Sequence, residues 1–447
     1  MDFRGKRVLV CGLGLSGMAS AKKLLSLGAC VTASDIKTRD KITNIDTLNG
    51  ASLYLEKTPD DIIHEQDMII LSPGVPCDVP YIETAKKLGI PVLSEIELAY
   101  RLCPCPVIAI TGTNGKTTTT ALVADIMCLH NPETVAVGNI GVSFVGSTGL
   151  LTERSLAVAE VSSFQLESID SFRPKVAALL NITPDHLNRH KTFEAYVNIK
   201  SRIFENQQPD DYAVLNADDK SCIGIAQALR SKVMLFSRLS RLDEGVYIED
   251  KYITYRWNGL YERLINTEDL IIPGSHNVEN ALAAAAVSLC AGVSAERIKQ
   301  GLRRFRGVEH RIELVGDING VEYYNDSKAT NPEAAIKAID AMSRPIVLIG
   351  GGYDKSSDFS DWVRAFEGKV KHLVVIGSVA DKIIECCKTY NFLNYDLVNS
   401  LHSAVELACA KALPGDCVLL SPACASYDMF DNYEQRGRMF KQFVKEL

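Results

Sequence analysis

The run Ile-Ala-Ile-Thr-Gly-Thr-Asn-Gly-Lys-Thr-Thr-Thr-Thr at 108–120 constrains this chain more than any other stretch. An apolar strand, a glycine loop and a helix start follow one another without a gap. Glycines there let backbone N–H groups converge on phosphate oxygens at the positive end of a helix. The run therefore predicts a nucleotide-phosphate site built from Gly112, Thr113, Asn114, Gly115, Lys116, Thr117 and Thr118. In that arrangement Lys116 bridges the β- and γ-phosphates and the Thr117 hydroxyl ligates Mg2+. The spacing departs from the common loop, which would need a glycine at Ile110. A plain glycine turn would explain the glycines and Asn114, but not the lysine and hydroxyls that follow. Such a loop also needs a metal-binding acid at the end of a neighbouring strand, and Glu160, after the apolar stretch 156–159, fits. The bland alternative for Glu160 is a glutamate capping a strand end.

Strand-length apolar runs alternate with helical patterns from end to end, which predicts an α/β chain with parallel sheets and crossover helices. At 447 residues the chain is longer than one core usually supports. A first unit reads as strand 6–11, a turn at Gly12, helix 16–27 and strand 30–34, with further strands at 68–71 and 92–93. A proline-rich joint follows at Pro104 and Pro106. The second and largest unit has strands at 107–110, 156–159, 176–180 and 212–215, and closes with an alanine-rich helix at 278–291. Within it, the tyrosine-rich alternation at 246–263 predicts an antiparallel excursion. The third unit has strands at 321–324, 346–349, 373–376 and 417–420, with a hinge at 306–311. The expected domains are thus 1–95, Rossmann-like; 96–307, P-loop ATPase-like around a parallel sheet; and 308–447, again Rossmann-like.

The net charge of −7 is mild and scattered, without the basic stripe that neutralises a nucleic-acid backbone, so nucleic acid is excluded as a partner. No run approaches the ~18 apolar residues of a membrane span, and the start leads straight into a strand, so a cytoplasmic protein away from the membrane is expected. The 13 cysteines are irregularly spaced and form no paired Cys-x-x-Cys units for zinc. Cys103 and Cys105 flank Pro104, and Cys386 adjoins Cys387; reduced, mostly buried thiols are expected throughout.

A second glycine run, Gly12-Leu13-Gly14-Leu15-Ser16-Gly17, also follows a strand and opens a helix, with Asp35 ending the next strand. It fits the diphosphate and ribose of NAD or of any other nucleotide diphosphate, and alone does not choose between them. Beside a phosphate loop, it implies two nucleotide ligands, one of them a substrate handle.

Seven landmarks stand in order along the chain: Thr-Gly-Thr-Asn-Gly-Lys-Thr at 111–117, Gly-Asn-Ile-Gly at 138–141, Glu-Val-Ser-Ser-Phe-Gln-Leu-Glu at 160–167, Asn-Ile-Thr-Pro-Asp-His-Leu-Asn-Arg-His at 181–190, Lys200, Ser-His-Asn at 275–277 and Asn-Asp-Ser-Lys-Ala-Thr-Asn at 325–331. Over nearly its whole length the sequence resembles the Mur ligases, the ATP-dependent amide ligases of the peptidoglycan precursor pathway. Folylpolyglutamate synthetases share the ATP loop but lack the N-terminal nucleotide unit. Gly350-Gly351-Gly352-Tyr353-Asp354-Lys355, and the tail from Ser421 to Gly437, resemble the branch that adds D-glutamate.

The resemblance implies ATP and Mg2+, UDP-N-acetylmuramoyl-L-alanine and D-glutamate as partners, a monomer, and an acyl-phosphate intermediate. Hinged domains would close over that intermediate to exclude water. By position, Thr117 and Glu160 would hold one Mg2+, and His186 and Lys200 a second. Asn139 and His186 would meet the muramoyl substrate; Lys116 and Arg311 the phosphates; Asn280 and Asp326 the adenosine. Lys328, Thr330, Lys355, Ser426 and Tyr433 would surround D-glutamate. Leu15, Ser16, Lys37 and Gly74 would hold the UDP portion, with Asp35 facing uracil or ribose. Ser16 and Lys37 stand where the family pattern has threonine and arginine, and Tyr433 where close relatives have phenylalanine. Lys200 would act as a carbamate formed with CO2, because an ammonium cannot ligate Mg2+. That chemistry needs neutral amine, yet at a pKa of ~10.4 only roughly four lysines in ten thousand are neutral at pH 7. Burial or a cationic neighbour must therefore lower it. Without the family pattern, Lys200 would read as an ordinary lysine on a helix at 193–205. His190, His276, His310 and Cys424 lie inside landmarks with structural roles expected.

Overall fold

In a computed structural model describing residues 2–140, 142–353 and 357–447, the chain is α/β throughout. It forms two compact units, 1–267 with 279–303, and 268–278 with 304–447. The first unit carries two sheets. In the smaller one the spatial order is Ser52–Leu55, Cys30–Asp35, Arg7–Cys11, Met68–Leu71, Val92–Ser94, all parallel. The stretch 8–11 and the strand Met68–Leu71 at its centre are apolar and buried throughout because both faces are covered. Val8 and Val10 pack into the core shared with the helix Leu15–Ser26, while Leu9 and Cys11 pack on the other side with Ile69, Leu71 and Ile82.

The larger sheet runs Leu260–Asn266, Tyr252–Trp257, Gly245–Glu249, Lys232–Ser237, Tyr212–Asn216, Val176–Leu179, Val107–Thr111, Leu156–Glu160, Thr134–Gly138. The strands from Lys232–Ser237 to Thr134–Gly138 are parallel, and the tyrosine-rich segment adds the antiparallel excursion expected from its alternation. The alanine-rich helix is Ser275–Cys290, with Ala281 to Val287 buried without a break.

The small and large sheets are joined through the helix Glu95–Leu102, which buries Glu97. Its carboxylate accepts the backbone N–H groups of Asp170 (3.0 Å), Ser171 (3.0 Å) and Phe172 (2.9 Å), and pairs with Arg101 at 2.6 Å. Arg101 also reaches Asp170.

In the second unit the order is Glu313–Ile318, Val321–Asn325, Cys417–Leu420, Ile346–Gly351, Val370–Ile376, Tyr395–Leu397, with only the first pair antiparallel among the described strands. Leu348 faces Trp362 and Ala338 on one side; Val347 and Ile349 face Phe440 and Val405 on the other.

Three details differ from the sequence expectation. Glu160 is the last residue of its strand rather than the residue after it. The helix expected at 193–205 is α-helical over Phe193–Ser201 and tightens to a 3-10 turn at Arg202–Phe204. Strands at Ser52–Leu55, Thr134–Gly138, Glu313–Ile318 and Tyr395–Leu397, each a sheet edge, and Lys232–Ser237 inside the nine-stranded sheet add to those expected from the sequence. Among the described residues, no helix is long and apolar enough to cross a membrane.

Candidate active site

The strand Val107–Thr111 runs into Gly112, and the helix Lys116–His130 starts directly after Gly115. Gly115 has φ +82°, and a Cβ there would lie 2.3 Å from Asn280 Oδ1, so glycine alone lets Asn280 close on the loop. Asn280 Oδ1 accepts the Thr119 hydroxyl at 3.2 Å. Asn181 braces the loop tip: its Oδ1 accepts Asn114 N–H at 2.8 Å, its Nδ2 donates to Asn114 O at 3.2 Å, and its carbonyl accepts Thr113 N–H at 2.9 Å. The Thr113 hydroxyl accepts Thr183 N–H at 3.0 Å.

Two lysines converge on this loop from different elements. Lys116 Nζ donates to the carbonyls of Gly112 and Thr113, both at 2.8 Å, and Lys200 Nζ, from the helix Phe193–Ser201, donates to Gly112 O at 2.8 Å. Lys200 is 1 % exposed and its Nζ lies 4.8 Å from the centre of the Tyr196 ring. Burial first, and the Lys116 ammonium second, pull the Lys200 amine down to about 7. That direction is the one carbamate chemistry needs, because only the neutral amine reacts with CO2.

Glu160 sits opposite Ile110 on the adjacent strand and is 1 % exposed. Its Oε1 accepts Asn139 Nδ2 at 2.8 Å; its buried Oε2 has no hydrogen-bond partner in the protein. Such an oxygen is costly unless something completes it. Thr117 and Thr118 are buried at the helix start on the neighbouring strand's loop. Mg2+ commonly takes one or two carboxylates with waters and phosphates, and Glu160 with Thr117 fits that donor set. Among the described residues no three His, Cys, Asp or Glu side chains converge as a ready-made metal cage. His186, at φ +52°, has Nε2 3.5 Å from Asp185 Oδ2 and its ring 4.9 Å from that of Phe164. An unmodified Lys200 spends its Nζ as a donor, so the pair His186 and Lys200 fits a cation only with Lys200 as its carbamate.

The second glycine turn is also as expected, and tight. A Cβ on Gly17 would lie 1.8 Å from the Gly12 carbonyl, which Ser72 Oγ also binds at 2.6 Å. Asp35 braces the turn: Oδ2 accepts Leu13 N–H at 2.7 Å and Oδ1 accepts Lys37 N–H at 2.9 Å. Leu15 is 92 % exposed. A cavity of about 620 Å³ opens here, lined by Gly14, Leu15, Lys22, Lys37 and Lys41 among others. Gly74 is exposed on the loop after Met68–Leu71, and the next carbonyl, Val75 O, accepts Arg189 Nη2 at 2.9 Å. Arg189 is held in turn by Glu167, at 2.6 and 3.0 Å. Ser16 Oγ is 3.5 Å from the buried Glu95, whose Oε1 also accepts Gln165 Nε2 at 2.6 Å; burial pushes that carboxyl up.

In the second unit, Asp326 follows the strand Val321–Asn325. Its oxygens accept Ile312 N–H at 3.2 Å and Ser421 Oγ at 2.7 Å, and burial pushes it up to about 7. Lys328 and Thr330 lie on the following loop, with Lys328 N–H on His310 O at 3.0 Å; Arg311 is exposed beside it. Arg436 was not assigned a role from sequence, although it stands inside the C-terminal landmark. It is fully buried and donates to Ser327 Oγ (2.9 Å), Ser327 O (2.9 Å), Cys424 O (3.1 Å) and Ala425 O (3.3 Å). The loops bearing Lys328 and the buried Ser426 are thereby pinned to one guanidinium. Tyr433 opens the helix Tyr433–Lys445, and its carbonyl accepts Ser327 Oγ at 2.8 Å. Lys355 and Gly141 lie outside the described residues. His190 is buried against Ser163 at 3.0 Å and His310 against Asn325 at 2.9 Å, positions that suit structural roles. All 13 cysteines are free, six of them buried.

Comparison with known proteins gives matches along the chain. The Mur ligase MurD-like N-terminal domain matches residues 6–94, the Mur ligase middle domain 110–288, and the Mur ligase glutamate ligase domain 310–424. A UDP-N-acetylmuramoylalanine–D-glutamate ligase of Thermoanaerobacter sp. (strain X514) is 49% identical over 452 residues, covering 100% of both chains. One of Alkaliphilus oremlandii is 46% identical with the same coverage. Among solved structures, the UDP-N-acetylmuramate-alanine ligase MurC of Thermotoga maritima superposes with TM-score 0.59 at 20% identity, covering 99% of each chain. MurF of Acinetobacter baumannii gives 0.58 at 17%, covering 96% of this chain and 88% of its own. With three successive domain matches and full-length relatives near half identity, this chain belongs to the Mur ligase family.

Proposed function

We propose that this protein joins D-glutamate to UDP-N-acetylmuramoyl-L-alanine at the expense of ATP, in assembly of the peptidoglycan precursor. The observation that carries the reading is the phosphate loop itself: Lys116 and Lys200 share the Gly112 carbonyl, and a buried, half-unpartnered Glu160 ends the adjoining strand. In this reading the substrate carboxylate attacks the γ-phosphorus and ADP leaves. The amine of D-glutamate then attacks the acyl carbon and phosphate leaves.

Lys116 and the loop N–H groups hold the transferring phosphate, with Arg311. Asn280 and Asp326 serve the adenosine. Asn139 and His186 position the muramoyl carboxylate. Leu15, Ser16, Lys37 and Gly74 hold the UDP part around the 620 Å³ cavity, with Asp35 bracing the turn. Lys328, Thr330, Lys355, Ser426 and Tyr433 receive D-glutamate. Thr117 and Glu160 would hold one Mg2+, and His186 with carbamylated Lys200 a second; the bound metal would neutralise charge on the phosphates. The segments 1–95, 96–307 and 308–447 carry the UDP substrate, ATP and the amino acid respectively. A monomeric, cytoplasmic enzyme belongs to the same reading, and gel filtration tests the first of these.

The test is phosphate release from ATP with UDP-N-acetylmuramoyl-L-alanine plus D-glutamate, plus L-glutamate, or plus neither. Release that depends on D-glutamate is expected. Release with another amino acid instead would move the chain to a sister ligase, and silence in every mixture would overturn the ligase reading.

A further inference from the structure

The segment Cys-Pro-Cys-Pro at 103–106 leads from the helix Glu95–Leu102 into the strand Val107–Thr111, which carries the phosphate loop. Its two thiols are neighbours: Cys103 Sγ lies 3.4 Å from Cys105 Sγ and 3.5 Å from Cys105 O. Cys103 is half-buried and open to a small reagent, whereas Cys105 is buried. Residues two apart cannot have Cα atoms more than about 7 Å apart, close to the ~6.8 Å upper limit for disulfides. The sulfurs need to close only from 3.4 Å to a bond length of about 2.05 Å.

We propose that Cys103 and Cys105 form a reversible oxidation site, in which peroxide converts the neighbouring thiols into an intrachain disulfide that a small thiol reopens. The chemistry balances in two steps. The Cys103 thiolate attacks one oxygen of hydrogen peroxide; an S–O bond forms, the O–O bond breaks, and hydroxide leaves to take up a proton as water. The Cys105 sulfur then attacks the Cys103 sulfenic sulfur; an S–S bond forms, the S–O bond breaks, and the hydroxyl leaves with the Cys105 proton as a second water. Two electrons pass from the two sulfurs to the peroxide, and a small dithiol returns them by exchange.

The asymmetry of the pair suits this order. Either sulfur can donate across the 3.4 Å contact; that contact holds the Cys103 thiol below its ordinary value and, together with burial, pushes Cys105 up. Cys103 is therefore the thiolate that meets the oxidant, and Cys105 the protonated partner that resolves it. In a reducing compartment the pair rests as the dithiol. The exposed Cys30 and Cys128 serve as internal controls.

The test uses the full chain under native conditions. The protein is treated with a small excess of hydrogen peroxide, free thiols are blocked with N-ethylmaleimide, and the peptide containing 103–105 is weighed. The expected product carries no maleimide, is lighter by two hydrogens, and reverts with dithiothreitol. Cys103→Ser should slow the loss of the Cys105 thiol roughly tenfold, and Cys105→Ser should leave a Cys103 sulfenic acid that dimedone traps. Maleimide on both Cys103 and Cys105 of the unmutated, peroxide-treated protein after Cys30 and Cys128 have been oxidised would overturn the proposal. So would a disulfide from Cys103 to any cysteine other than Cys105.

Discussion

Lys116 and Lys200 meet on one acceptor: both side-chain nitrogens lie 2.8 Å from the carbonyl oxygen of Gly112. Two cations cannot share that oxygen comfortably, which favours the neutral amine at the buried one. Burial remains the larger cause of the depressed Lys200 value, and Lys116 adds to it. Lys116→Met is therefore expected to raise the Lys200 titration midpoint above about 7 while leaving it below that of a solvated lysine. A 13Cε NMR titration of labelled lysine reads it, and an unmoved midpoint would remove Lys116 from the account.

The same depression has a signed effect on stability. Between about 7 and about 10.4 the unfolded chain holds the Lys200 proton and the folded chain does not, so this group makes stability rise with pH across that window. Lys200→Met should thus stabilise the ligand-free protein more at pH 6.5 than at pH 9.5. Equal gains in thermal midpoint at the two pH values would contradict the shift.

Lys200→Ala is expected to lose activity by about a hundredfold or more and to recover part of it with short carboxylic acids, which restore an anion where the carbamate would stand. A folded variant that no carboxylic acid rescues would count against the carbamate.

Glu160→Gln keeps the shape and the bond from Asn139 but removes the charge at the unpartnered oxygen. The expected outcome is a kcat reduced by about two orders of magnitude and a higher Mg2+ requirement, with the melting temperature held or raised because the buried charge is gone. Unchanged Mg2+ dependence would exclude Glu160 as a metal ligand.

Arg436→Met would strip donors from four acceptors at once, each costing about 1 to 3 kcal/mol when left buried and unpaired. The unit formed by 268–278 and 304–447 should lose stability, and KM for D-glutamate should rise while KM for the UDP substrate stays. A shift in both KM values alike would deny it a local positioning role.

The architecture was legible where physics writes itself into short runs. Fully buried strands such as Val107–Thr111 and Ile346–Gly351 carry unbroken apolar runs at 107–110 and 346–349, and the glycines at 115 and 17 mark places where a side chain has no room. The edge strands Ser52–Leu55 and Tyr395–Leu397 were not legible, since one open face removes the demand for apolar residues. Candidate ligands on the phosphate loop were readable from spacing alone. Partnerships across long sequence distance were not: Arg189 on Val75 O, Glu97 on three successive N–H groups, and Arg436 under the 327 and 424–425 backbone are contacts that only the folded chain brings together.

Glu97 sits on the helix that follows the last strand of the small sheet, yet its hydrogen bonds are spent on 170–172, in the loop that leads into Val176–Leu179 of the larger one. Either sheet separating first would strand a buried carboxylate and three N–H donors together, so neither has a cheap way to melt alone. Cooperativity therefore does not follow the tally of sheets. In a scanning calorimeter the chain should melt in two transitions, the larger spanning both the small sheet and the nine-stranded one, and Glu97→Ala should split that endotherm into two.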